Sequence, residues 1–166
     1  MKVNVKIKDL QIARDIIKKE LKSLATRKNA TIGIHEDAGM HEGGITNAQL
    51  GALLNYGNPD NKMYGKADAP IPARPWLVPG VESGRKEQIE AFAETFVKTQ
   101  SADKALEAAA ATAVGNVQQY MTDLKDPANS PVTIAKKGSS NPLIDTGSLR
   151  GSVTYKINNV KPEEGL

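Results

Sequence analysis

Two long stretches of helical periodicity lie between short stretches that alternate, and few folds accommodate that order. From Pro79 to about Thr99, Val81, Ile89, Phe92, Ala93, Phe96 and Val97 fall on one side of a helix. From about Ala102 to Leu124, Leu106, Ala110, Ala113, Val114, Val117, Met121 and Leu124 recur at three- and four-residue spacing. Ahead of them Ala30 to Ile34 is a short apolar strand that stops where His35, Glu36 and Asp37 turn polar, and behind them Ser152 to Ile157 alternates as a final strand. At the N-terminus Val3, Val5 and Ile7 alternate with Asn4, Lys6 and Lys8. Asp9 then caps a helix with Leu10, Ala13, Ile16, Ile17, Leu21 and Leu24 inward. These elements predict an α+β fold: a small, mostly antiparallel β-sheet packed against two or three α-helices, with long extended loops.

The 166 residues fit one domain, expected over 1–157 with a C-terminal tail over 158–166. Mobile loops are expected at about 37–45, 57–75 and 126–142, where Gly, Pro and Ser interrupt any period. Between the first two, Thr46 or Asn47 caps a short helix with Leu50, Leu53 and Leu54 inward, stopped by the run Asn55, Tyr56, Gly57, Asn58, Pro59. Apolar residues make up 39% of the chain and aromatics only 4%, so the core rests on Ile, Leu, Val and Ala. Small domains with so thin a core often gain burial by oligomerising. The alanines at 108–111 and Gly115 allow close approach of another helix or chain, and high helix propensity accounts for them equally well.

Several chemistries lose their support at this level. The chain has no cysteine, which removes disulfides, thiolate metal sites and a Cys nucleophile together. No apolar run approaches the ~18 residues of a membrane span, so no membrane partner is expected. Met1 to Lys8 lacks the apolar segment of a secretory signal. His35-Glu36 and His41-Glu42 lack the spacing of a metal helix, nothing resembles a phosphate-cradling glycine loop, and no triad is fixed, so no metal, cofactor or catalytic residue is assigned. A net charge of +3 with both signs interspersed gives a small basic nucleic-acid-binding protein weak support. Lys18, Lys19 and Lys22 on a helix, and Lys136 and Lys137 in a loop, are better explained as solvated faces.

Two segments carry more information. Ile71 to Pro79 reads Ile-Pro-Ala-Arg-Pro-Trp-Leu-Val-Pro, an extended arm holding the single Trp. Arg and Trp dominate contact hot spots, so Arg74, Pro75 and Trp76, with Tyr56 nearby in sequence, are candidates for a subunit interface. The alternative is that Trp76 and Leu77 plug the core while Arg74 pairs with a carboxylate. Asn141 to Ser152 contains Leu143-Ile144-Asp145-Thr146-Gly147-Ser148, the way an aspartic protease presents its carboxylate. Such an enzyme would be a retroviral-type homodimer using Asp145, because only one Asp-Thr-Gly is present and two facing carboxylates must share a proton. Only 21 residues follow Asp145, too few for a flap and the remaining strands, and most of the chain is helical in pattern. The competing reading is a structural turn: Asp145 or Thr146 accepts from backbone N–H groups, Gly147 tolerates an unusual φ, and Leu149 and Arg150 begin one helical turn before the last strand.

Taken in order, the strand Ala30 to His35, the helix and turn Leu50 to Gly57, the Pro-Ala-Arg-Pro-Trp arm, two long helices and the Pro-Leu-Ile-Asp-Thr-Gly-Ser-Leu-Arg-Gly-Ser segment resemble bacteriophage tail-completion and neck proteins. The similar groups are the lambda-like minor tail protein Z and the Mu-like virion morphogenesis protein G. Asn55 stands where these proteins usually carry an acidic residue, and 58–68 is longer than usual. The resemblance implies a non-enzymatic virion protein, synthesised in the host cytoplasm and placed at the neck. There it would form a homo-oligomeric ring of six-fold or twelve-fold symmetry. Its partners would be head connector or adaptor proteins on one side and a tail terminator or tail tube protein on the other, with DNA passing through without sequence-specific binding.

Overall fold

The structure, a computed structural model, describes residues 11–12, 14–19, 28–41, 44–60 and 70–159. The expected strand at Val3 to Ile7 lies outside the described residues. Residues 11–12 and 14–19 are helical, as the cap at Asp9 leads one to expect, but Ile16 and Ile17 are about half exposed rather than inward.

Among the described residues the sheet is an antiparallel pair. Strand β1 (Lys28–Ile34) runs against β2 (Val153–Asn159) in register from Lys28 opposite Asn159 to Ile34 opposite Val153. Both strands extend beyond their predicted bounds, and Asn158 and Asn159, expected in the tail, belong to β2. The alternation is physical: Val153 is buried against the core, while Thr154 faces out and accepts or donates to His35 Nδ1 at 2.9 Å.

Helix α1 (Asn47–Tyr56) starts at Thr46, whose Oγ1 accepts from Gln49 N while Gln49 Oε1 accepts from Thr46 N, a reciprocal pair that satisfies two otherwise unpaired donors. It ends at Gly57, with φ 75°, where a Cβ would sit 2.6 Å from Ala73 N; only glycine lets the returning arm pass this close. The predicted helix over 79–99 is two helices: α2 (Leu77–Ser83) and α3 (Arg85–Thr99). They meet at buried Gly84, whose absent side chain makes room for the Asn116 amide. Ile89, Ala93 and Val97, expected inward, are exposed on α3, while Phe92 and Phe96 are half-buried with their rings stacked.

Helix α4 (Ala102–Asp123) begins at Ser101, whose side chain accepts from Lys104 N. It is the central element: α2, α3, β1 and β2 all pack on it. Its alanines explain how so many neighbours fit. Ala102, Ala105, Ala110 and Ala113 are buried, and near its C-terminal end Val117 and Met121 take over as the core with Trp76, Leu143, Leu149 and Val153. At Gly80 of α2 a Cβ would lie 2.9 Å from Val117 Cα, so these two helices touch backbone to backbone.

The stretch 126–142, expected as a flexible loop, holds a short helix α5 (Pro131–Lys137). Ser130 caps it by accepting from Thr133 N, Pro131 occupies the first turn where no donor is missed, and Gly138 ends it. The last turn α6 (Ser148–Gly151) leads directly into β2.

Candidate functional site

The arm and the Asp-Thr-Gly turn, far apart in sequence, form two walls of one cleft of about 580 Å³. Leu50 and Leu54 of α1 form a third wall, and Asn129, Ser130, Thr133 and Lys137 complete it. Each wall is held by a specific acceptor or donor.

The arm is fixed by backbone. Ile71 pairs with Asn58 through N–H to carbonyl bonds of 2.8 and 2.9 Å, and Arg74 N donates to Leu54 O at 2.8 Å. Asn55 Oδ1 accepts from Trp76 N at 3.0 Å and Leu77 N at 3.3 Å, satisfying donors at the start of α2.

Trp76 is 3% exposed, its ring reaching into the core and its Nε1–H donating to Gly51 O at 3.0 Å. Arg74 is 4% exposed. Its partners are carbonyls, not the carboxylate anticipated: Nε donates to Pro127 O at 2.7 Å and Nη2 to Ala128 O at 3.0 Å, with Asn129 Oδ1 at 3.4 Å. Burial pushes the guanidinium pKa down, although a group titrating so high remains charged. The side chains of Arg74 and Trp76 are thus occupied within the subunit. Of the four interface candidates, Pro75 and Tyr56 face solvent, Tyr56 at 79%.

The other wall depends on Asn141, which sequence reasoning passed over. Its Oδ1 accepts from Leu143 N and Ile144 N at 2.9 and 3.0 Å, and its Nδ2 donates to Thr122 O at 2.8 Å in the last turn of α4. Its own carbonyl accepts from Asn129 Nδ2 and from Lys137 Nζ, both at 3.2 Å. Leu143 is thereby seated in the core. Beyond it Thr146 Oγ1 accepts from Ser148 N at 3.3 Å, and Gly147, at φ 87°, adopts the left-handed conformation that opens α6. Leu149 is buried, whereas Arg150 is exposed and donates to Thr122 Oγ1 at 3.1 Å. Asp145 is exposed at the rim.

Lys136 faces solvent, but Lys137 turns into the cleft. Burial lowers the Lys137 pKa, the nearby Asp145 charge raises it, and Arg74 adds to the lowering. Two cations therefore stand in the cleft wall with one carboxylate at its edge, among apolar and hydroxyl-bearing side chains. Such a surface has the chemistry to pair with a carboxylate over an apolar bed.

Among the described residues, no group of three or more His, Asp and Glu side chains stands together to hold a metal ion. His35 instead bridges Thr154 and Thr31 across the sheet surface. No helix among the described residues is long and apolar enough to cross a membrane. No protein-family model, no curated protein and no solved structure matches this chain.

Proposed function

We propose that the chain is a tail-completion or neck subunit of a tailed bacteriophage, forming a homo-oligomeric ring between head connector and tail tube that leaves a channel for DNA. The observation that carries this reading is the convergence of the two segments on which the resemblance rests. Pro72 and Arg74 of the arm and Pro142, Leu143, Asp145, Thr146 and Gly147 of the turn line the same cleft, which supports taking the two segments together. The apolar surface left on the subunit supports it further. Val78, Ile89 and Val97 are 61 to 72% exposed, and Tyr56 and Val132 are both at 79%, which suits a subunit whose burial is completed by neighbours.

The protease reading draws no comparable support. Asp145 is exposed beside a helical turn, and a shared-proton dyad needs carboxylates facing each other and shielded from water. Electron microscopy of the negatively stained protein, alone and with virions, tests the proposal. Rings, or labelled density at the neck, are the expected result, and a monodisperse monomer absent from virions would overturn it. Asp145→Asn is expected to leave assembly intact and to abolish no peptidase activity.

A further inference from the structure

We propose that the cleft receives the acidic tail, residues 160–166, of a second copy of this chain. This deepens the ring reading by naming one subunit contact, and it rests on that reading only in requiring two copies to meet.

Charge complementarity is the first argument. The cleft presents the Lys137 ammonium, which is half-buried and donates to Asn141 O, with the Arg74 guanidinium in the same wall and the Asp145 carboxylate at the rim. The tail reads Val160-Lys161-Pro162-Glu163-Glu164-Gly165-Leu166. Lys161 and Glu163, two residues apart, lie on one side of an extended chain about 7 Å from each other. Set along the cleft, Lys161 meets Asp145 while Glu163 meets Lys137, and the ammonium retains donors beyond the one given to Asn141. Pro162 favours the extended form, and Val160 and Leu166 match the apolar bed of Leu50, Leu54, Ile71 and Leu143.

Reach is the second argument, and it selects a neighbouring copy over the chain's own tail. The cleft lies at the Ile34–Val153 end of the sheet: Leu149 lines it and packs with Val153, and Gly51 of α1 sits against Ile34. The tail leaves from Asn159 at the opposite end of β2, about 20 Å away at ~3.3 Å per residue. Glu163 and Glu164 are four and five residues past Asn159. Fully extended, their backbone spans at most about 14 to 18 Å, and because β2 runs away from the cleft the chain must first turn back, which uses up residues and leaves both carboxylates short of it. In a head-to-tail ring the same tail meets the next subunit's cleft, and each subunit gives one tail and receives one.

The test is fluorescence anisotropy with a labelled peptide of residues 158–166, titrated with full-length chain carrying Glu163→Lys and Glu164→Lys so that its own tail does not compete. Saturable binding is expected, weakened about tenfold or more by Lys137→Glu; a peptide with the same two Glu→Lys changes restores it on a Lys137→Glu chain that keeps its wild-type tail, so that again no tail competes. Lys137→Met, which keeps the apolar stem, serves as the second variant; it is expected to weaken binding while the chain stays folded, its thermal melt falling only by the lost bond to Asn141 O. Absence of saturable binding, or binding unchanged by both Lys137 variants, overturns the proposal. Protection of the cleft by the intact tail at concentrations where the wild-type chain sediments as a monomer also overturns it, since that means docking within one chain. The peptide titration needs no ring, so its failure and a failure to find rings at the neck are separate results.

Discussion

Arg74→Ala tests how the arm is tied to the opposite wall of the cleft. The guanidinium spans two carbonyls, Pro127 O at 2.7 Å and Ala128 O at 3.0 Å, from a position 4% exposed. A hydrogen bond from a charged donor contributes about 1.5 to 3 kcal/mol, which sets an upper bound of roughly 3 to 6 for the two. Ala128 is exposed, so water can replace its partner once the side chain is gone, and the expected loss falls to about 2 to 4 kcal/mol. For a chain this long that corresponds to a melting temperature lower by about 5 to 15 °C. Arg74→Lys keeps the charge, but one ammonium cannot reproduce the planar fork, so about half of that loss remains. Thermal melts of both variants measure the size of the effect. Amide exchange locates it: acceleration is expected to be greatest at 128–130, 141, 143 and 144, beyond the general rise that the lost stability gives β1 and β2. A Lys variant as stable as wild type, or an Ala variant within ~0.5 kcal/mol of it, would refute the two-carbonyl tie.

The junction of α2 and α3 gives a second test. A Cβ on Gly84 would lie 2.0 Å from Asn116 Cγ, so Gly84→Ala must rotate the Asn116 amide away from Gln88 Nε2, which now donates to it at 3.1 Å. The single change is expected to cost about 1 kcal/mol, and added to Asn116→Ala it should cost nothing further; additive losses in urea titrations would show that the clash lies elsewhere. Gly80→Ala meets Val117 backbone, so no side-chain deletion should rescue its loss of about 1 to 3 kcal/mol. The hydrogen bond from Lys156 holds the Asp37 carboxyl below its ordinary value. Stability from that pair is therefore complete above the ordinary carboxylate range and disappears as pH falls through the lower folded value. Asp37→Asn should be slightly less stable than wild type at neutral pH and equal to it in strong acid. A gap between their urea midpoints that persists in acid would contradict this.

Much of the frame was legible because local chemistry and tertiary packing agree there. Thr46 as a cap and the run Ala110, Ala113, Val117, Met121 each announce their role in the residue type itself. Helix α5 was missed because the prolines and glycines around it dominate the composition, although Ser130-Pro131 and Gly138 are start and stop signals. The break at Gly84 was hidden by an apolar period that continues through it, and that same period misplaced Ile89 and Val97. Arg74 found carbonyl partners, and backbone acceptors leave no trace in a sequence. Asn55, Asn129 and Asn141 were invisible for the opposite reason: asparagine is common in turns, and nothing local distinguishes a turn residue from one that joins three segments.

Asn141 also bears on how the molecule ages. Spontaneous deamidation of asparagine proceeds when the backbone nitrogen of the next residue attacks the side-chain amide. At Asn141 that residue is Pro142, whose nitrogen carries no hydrogen, so the route is closed. Conversion to aspartate would replace the donor facing Thr122 O with an oxygen and set two acceptors against each other. The side-chain amide that joins helix α4 to the Leu143 turn is thus chemically protected by its successor.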